Sequence, residues 1–243
     1  MSRRGFLAVR DLEAIEEMDR PDCDPERLTR TYAQFGIVNA AVSGLRRTYT
    51  SLLRPAFSPD RTNTLLDIGS GGGDVPRALT RWARLDGLTL EVTAIDPDER
   101  AHDYAVSRPS LPGLSFRRAL SSELVAQGEV FDAVVSNHVL HHLDRAAFTA
   151  LLDDSDRLTR RIAVHSDIAR HPVGYGLFSV GTLPLPGSYI RRDGLTSIRR
   201  SYTPAELRAA VADRPGWQVR TAMPFINHLV LDRRDGHGGS GHA

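Results

Sequence analysis

The chain has 243 residues, 41% of them apolar and 25% charged, with a net charge of +1. That suits one large globular domain, or one domain with an appendage, and excludes an overall basic field for nucleic acid. A single cysteine, Cys23, excludes an internal disulfide and any multi-cysteine metal site. All 31 basic residues are arginine, which removes both a Schiff-base lysine and a P-loop lysine. The opening MSRRGFLAVR has a twin arginine, but Arg10, Asp11, Glu13, Glu16 and Glu17 leave no apolar export segment. No run approaches the ~18 apolar residues of a membrane span. The expectation is a cytoplasmic protein.

Residues 11–20 read as a short amphipathic helix with Leu12, Ile15 and Met18 on one side, ended by Pro21 and Pro25. From Glu26 to Leu53, apolar residues from Leu28 to Leu52 recur at three- and four-residue intervals, predicting one or two helices bent near Gly36 and Gly44. Pro55 and Pro59 mark a linker, so residues 1–61 are expected to form an N-terminal helical cap. The core then alternates strand and helix, the pattern of a parallel α/β sheet. Strands are expected at 64–68, to Asp96, at Leu114–Arg118, at FDAVVSN and at 161–167. Helices are expected at 74–85, at 98–107 with Asp98 as its cap, from Ser121, and from Asp144 to Leu158. From Ala169 to Arg200 the periodicity breaks down among glycines and prolines, predicting a lid or insertion of irregular structure. Thr203-Pro204-Ala205-Glu206 is a helix start with a capping-box pattern. Trp217–Ala222 and Phe225–Asp232 read as the last two strands, joined at Met223-Pro224. The main domain spans 62–235, and 236–243 reads as a flexible tail.

The stretch from Leu65 to Leu79, LLDIGSGGGDVPRAL, organises the rest. It reads as a buried strand, a tight glycine turn and a helix whose start exposes unpaired N–H groups. Asp74 is the expected cap, with Pro76 in the first turn. Dinucleotide folds want Gly-x-Gly-x-x-Gly. Here Gly69, Gly71 and Gly73 alternate and Asp74 follows, so that fingerprint fails. Asp67 and Ile68 directly before this turn resemble motif I of the Rossmann-like, class I S-adenosylmethionine-dependent methyltransferases. Asp96, 23 positions after Gly73, stands where a carboxylate can accept two hydrogen bonds from a ribose diol. VVSNHVLHHLD resembles the family's motif after the fourth strand, beneath the methionine part of the cofactor. It lacks the prolines of nucleic-acid amino-methyltransferases.

The resemblance implies a seven-stranded mixed sheet with helices on both faces, the last strand antiparallel. It implies S-adenosylmethionine bound by Asp67, Gly69, Ser70, Gly71, Gly73, Asp96, Pro97, Asn137 and His138. The family often has an acidic residue after the third strand. FRRALSSE has none at that turn, so Ala119 and Leu120 are expected to cover the adenine instead. His141 and His142 are candidate general bases, because histidine titrates near neutrality. His165 and His171 are secondary candidates. His138, His141 and His142, a compact His-x-x-His-His, invite a metal reading, but catalytic zinc needs three protein ligands of suitable geometry and the chain has no His-Glu-x-x-His helix, so no metal is expected. Tyr32, Phe35 and Asn39 of the cap read either as packing or as lying over the site's mouth, and Arg191, Arg192, Arg199 and Arg200, in or beside the lid, either as solvated charge or as anchors for a carboxylate or phenolate of the acceptor. The cap and DGLTSIRRSYTPAEL look similar to small-molecule enzymes of the ubiquinone/menaquinone methyltransferase type. The expected function is methyl transfer to oxygen or carbon of a small aromatic, quinone or polyketide-like acceptor in secondary metabolism. Neither a nucleic-acid partner nor a membrane span is expected, and a homodimer is an open possibility. An NAD-dependent oxidoreductase and a non-catalytic S-adenosylmethionine-binding regulator are the rival readings.

Overall fold

The computed structural model describes residues 7–221 and 225–234. Seven strands among them form one sheet: β1 (Asn63–Ile68), β2 (Leu90–Ile95), β3 (Leu114–Arg117), β4 (Phe131–Asn137), β5 (Thr159–Ile168), β6 (Trp217–Thr221) and β7 (Ile226–Asp232). Their spatial order is β3-β2-β1-β4-β5-β7-β6. Only β7 runs against its neighbours, β5 and β6. The order reverses between β1 and β4, so loops diverge there and leave a crevice beyond the strands' C-terminal ends.

The period of two along each strand sorts side chains between two cores. Leu65, Ala133, Val135, Ile162, Val164 and Val230 face one layer, with Leu79 of helix α3 (Asp74–Leu85) and Tyr49, Leu53 and Phe57 before the sheet. Leu66, Val134, Ala163, Leu229 and Leu231 face the other, with Leu124, Phe148 and Leu152. Those last three belong to helices α5 (Ser121–Ala126) and α6 (Arg145–Leu158). Burying each such aliphatic side chain contributes roughly 1.5–3 kcal/mol.

Helix α1 (Pro25–Val42) begins at Asp24, whose carboxylate accepts from the N–H groups of Glu26 and Arg27. It is followed by α2 (Leu45–Thr48), a π turn at Tyr49–Leu53 and a 3₁₀ turn at Arg54–Ala56. The bend expected near Gly44 is there, with that glycine at φ +60°. Helix α4 (Glu99–Ser107) is capped by Asp98 as expected. Tyr32, Leu28, Ala101 and Tyr189 form a third, small cluster that fixes α1 across α4.

Three sequence expectations are corrected. Residues 11–20 do not form an amphipathic helix; only a 3₁₀ turn is present at Glu17–Asp19. Its polarity is inverted, with Leu12 and Ile15 58% and 59% exposed while Glu16 is 3% exposed. The cause is a buried partner for Glu16, described below. Residues 169–200 are not irregular: they carry α7 (Pro172–Gly181) and α8 (Ile190–Arg200). Pro172 occupies the first helical turn, where its missing N–H costs nothing, and His171 caps it. Gly194 lets the two helices meet, since a Cβ there would stand 2.2 Å from the Phe178 ring. Asp74 is not the cap of α3 but its first residue; Gly73, at φ +77°, is the cap. Helix α9 (Pro204–Ala210) does open with the Thr203–Glu206 capping box. The Met223-Pro224 turn and the 236–243 tail lie outside the described residues.

Candidate active site

A cavity of about 520 Å³ opens beyond the tips of β1, β2 and β4. The turn after β1 forms its floor, with Asp67, Gly69, Ser70 and Gly71 in the wall. Gly69 and Gly71 have φ of +71° and +52°, which L side chains rarely adopt. Asp96 lines the same wall. Its carboxylate accepts from Gly71 N–H at 2.8 Å and from Asp98 N–H at 2.9 Å, which couples the turn to the tip of β2. Pro97, Asn137 and His138 complete this side. His138 itself is left-handed, at φ +60°, with Nδ1 3.6 Å from Asp167 Oδ1.

The wall is rich in carboxylates. Burial, reinforced by the charges of Asp74 and Asp96, pushes Asp67 well above the usual range. Burial likewise raises Asp74 and Asp96. Asp67 Oδ2 and Asn137 Oδ1 are buried and find no hydrogen-bond partner among the described residues. Arg200 also lines the cavity, but its guanidinium donates to the carbonyls of Ala14, His141 and His142. The wall therefore favours a cation and disfavours a pyrophosphate. The orphaned oxygens of Asp67 and Asn137 suit a ligand that brings its own donors.

Opposite the glycine turn lies a histidine cluster. The 3₁₀ turn Leu140–His142 buries His141 and leaves His142 half-buried. His141 Nδ1 is 2.8 Å from Asp167 Oδ1, and its Nε2 is 3.2 Å from Glu16 Oε1. Burial alone would lower this imidazole; the charge of Asp167, with Glu16 behind it, instead raises it to about 10. Burial would raise Glu16, but the His141 hydrogen bond and the neighbouring imidazoles hold it at about 2. With Nδ1 hydrogen-bonded to Asp167 and Nε2 facing the charge of Glu16, this ring is held as the imidazolium, which already carries both protons and cannot take another. His141 is thus corrected from candidate base to a residue that ties Glu16 to β5. His142 lines the cavity with Nδ1 3.1 Å from Asp19 Oδ2.

Other candidates move. Gly73 is not in the cavity wall; a Cβ there would lie 2.7 Å from the Phe116 ring, so its role is close packing. Ala119 and Leu120 are not brought to the cavity either. Leu120 is 54% exposed and stands at the cap of α5, and Pro97, Asp98 and Ala101 flank that end instead. Arg191 donates to Ser179 of α7, and Arg192 pairs with Glu17 at 3.0 Å, so neither points at the cavity. The helical phase of α8 turns Asp193, Ser197 and Arg200 inward instead. His165 is held in the core between Ser136 Oγ at 2.8 Å and Ser155 Oγ at 3.0 Å, and His171 caps α7. Tyr32, Phe35 and Asn39 do line the cavity, and Asn39 donates to Asp74 at 2.8 Å.

Sequence reasoning missed Glu16, Asp19, Asp193 and Phe178 in this wall. Glu16 counted only among the charges that break an apolar export segment, Asp19 carried no expectation, and Phe178 sat in a stretch with no readable period. An excess of acids in DLEAIEEMD was the one available signal.

Residues 66–162 match the family described as methyltransferase domain. No curated protein matches the sequence. Among solved structures, the plantazolicin methyltransferase BpumL in complex with SAH is 13% identical, with 85% of this chain and 95% of that chain covered and a TM-score of 0.58. Human N-acetylserotonin methyltransferase in complex with SAM is 12% identical, with 86% and 56% covered and a TM-score of 0.60. Magnesium protoporphyrin IX methyltransferase (ChlM) from Synechocystis PCC 6803 with bound SAH is 17% identical, with 84% and 91% covered and a TM-score of 0.55. At such identities the structural likeness is one of fold, and the fold is the Rossmann-like one of these proteins.

Proposed function

We infer that this chain, a class I S-adenosylmethionine-dependent methyltransferase, methylates oxygen or carbon of a small aromatic, quinone or polyketide-like acceptor. The observation that carries this reading is the carboxylate-lined cavity at the glycine turn. S-adenosylmethionine brings a sulfonium and an ammonium, two cations that Asp67, Asp74 and Asp96 attract. The same charges oppose the pyrophosphate of a dinucleotide, which weighs against an oxidoreductase.

Asp96 would accept from the ribose diol with the lone pairs its two backbone bonds leave free. Asn137, with an unpartnered oxygen, and His138 would lie under the methionine end. The cofactor supplies a methyl on a cationic sulfur, an already good leaving group. The chain's own task is to align the acceptor and keep water out, and alignment of this kind is worth about 7–11 kcal/mol. Tyr32 and Phe35 of the N-terminal cap offer flat apolar faces for an aromatic acceptor. Phe178 and Ile190 of the α7–α8 lid close the other side. His142 is the base candidate, half-buried and facing the cavity. The named neighbours act on plantazolicin, N-acetylserotonin and magnesium protoporphyrin IX, acceptors of unlike shape, so the fold alone leaves the acceptor to the cap and lid. Among the described residues no helix is long and apolar enough to cross a membrane. A cytoplasmic setting in secondary metabolism goes with this reading.

Incubation with S-adenosylmethionine and a panel of phenols and quinones tests it. Mass spectrometry should find acceptor heavier by one methyl together with S-adenosylhomocysteine. Cofactor binding by calorimetry with no methyl gain across the panel would favour a non-catalytic binder. No cofactor binding at all would end the assignment.

A further inference from the structure

The histidine pair acquires a third ligand only in the folded chain. Glu16, His141 and His142 each offer one ligand atom, and these atoms lie within 4.8 Å of one another. Glu16 Oε1 is 3.2 Å from His141 Nε2, and Glu16 Oε2 is 3.9 Å from His142 Nε2. Donors around a tetrahedral zinc, bound at about 2.0–2.1 Å, stand ~3.3 Å apart. Small side-chain shifts therefore suffice. The outer contacts point the same way. Each histidine turns its Nδ1 to a carboxylate, His141 to Asp167 at 2.8 Å and His142 to Asp19 at 3.1 Å. That contact fixes the tautomer that leaves Nε2 free as a metal donor. All three residues border the cavity, and the His142 side chain, the least buried of the three, opens to it, so a coordination position not filled by protein would face the acceptor on that side.

We propose that Glu16, His141 and His142 bind one divalent transition-metal ion, of the zinc or iron(II) class, in the acceptor end of the cavity. Two imidazoles and one carboxylate are a donor set these ions favour, with positions left open. The ion replaces the second proton of the His141 ring as the positive charge between Glu16 and Asp167.

The acceptor class follows from the open positions, and this half of the inference rests on the methyl-transfer reading. An acceptor with a phenolic hydroxyl, or two adjacent oxygens, would coordinate through oxygen. The ion lowers that hydroxyl's pKa, as it does for bound water. The O–H bond breaks and its proton passes to solvent. The oxygen lone pair then forms the bond to the methyl carbon while the C–S bond breaks, its electron pair staying on sulfur. In that site His142 holds the ion and does not take the proton.

The test uses the full chain, stripped with chelator and titrated with Co²⁺ and with Zn²⁺. Stoichiometric binding is expected, with the visible absorption of low-coordinate cobalt. Glu16→Gln and His142→Ala should each abolish the cobalt spectrum. Asp19→Asn, which leaves the ligands in place, should weaken affinity by roughly 10–100-fold. S-adenosylhomocysteine titrated into the same samples reports separately on the cofactor site. No stoichiometric metal binding by the parent chain, or binding unaltered in all three variants, would overturn the proposal while leaving the methyl-transfer reading intact. Should Glu16→Gln fail to fold, the Asp19→Asn and His142→Ala arms decide.

Discussion

The carboxylate of Asp96 accepts the backbone N–H of Gly71 at 2.8 Å, joining the tip of β2 to the turn after β1. The residue expected to grip a ribose also holds in place the loop on which the rest of the nucleoside would lie. Asp96→Ala removes both functions. Hydrogen bonds to a charged group contribute about 1.5–3 kcal/mol, so S-adenosylhomocysteine should bind roughly 10–100-fold more weakly by calorimetry. An unchanged Kd would detach the sugar from this strand.

Two of the three left-handed glycines of the turn, Gly69 and Gly71, should respond differently to a methyl group. A Cβ on Gly69 would stand 2.7 Å from Val139 Cγ2, whereas one on Gly71 would meet nothing within 4 Å. Gly71→Ala then carries only left-handed strain, about 1–2 kcal/mol. Gly69→Ala adds overpacking, for about 2–5 kcal/mol in all. Chemical denaturation should rank them in that order. The bulkier Gly71→Val should abolish cofactor binding.

Acid should unfold the protein through two buried imidazoles. Burial lowers His165 to about 3, and burial with the Arg220 charge lowers His228 to about 4, from an ordinary 6.5. Below 6.5 the unfolded chain binds protons that the folded chain refuses, so stability is complete above that pH and falls as pH drops. Near pH 5 each histidine should account for a loss of about 2 kcal/mol. Urea midpoints measured from neutral pH downward check this, and His165→Gln should flatten the slope. An equally steep slope in that variant would exclude His165 as a source.

Arg200 stitches α8 to the N-terminal segment and the histidine turn through the carbonyls of Ala14, His141 and His142. Arg200→Ala strands those carbonyls and should cost about 1–3 kcal/mol of stability. Because it loosens the acceptor side and not the glycine turn, KM for acceptor should rise while S-adenosylhomocysteine affinity holds. A fall in both affinities alike would mean that the two halves of the cavity are one unit.

His142→Ala should leave cofactor affinity unchanged and lower turnover by about 10²–10⁴-fold, the range for a missing general base. Single-turnover rates with a methylated product as readout measure this. Full activity in the variant would remove His142 from the reaction in either of its proposed roles.

What the sequence determined by itself was everything governed by neighbours along the chain. Short apolar runs bounded by turn residues located the strands of the sheet, because a strand covered on both faces buries nearly every side chain. The Asp67–Gly73 turn and Asp96 were legible because left-handed backbone and strand-end carboxylates leave local signatures. The Thr203 capping box and the Asp98 cap were legible for the same reason. Tertiary structure decided which charges are buried and which way a helix faces. In the sequence Glu16 is one acid among several; in the fold His141, far along the chain, stands opposite and compensates its desolvation. Arg191 and Arg200 lie in one segment, yet the phase of α8 against α7 sends one outward and one to the cavity. Spacing in sequence records the period of an element, while burial of a charge depends on what the fold sets across from it.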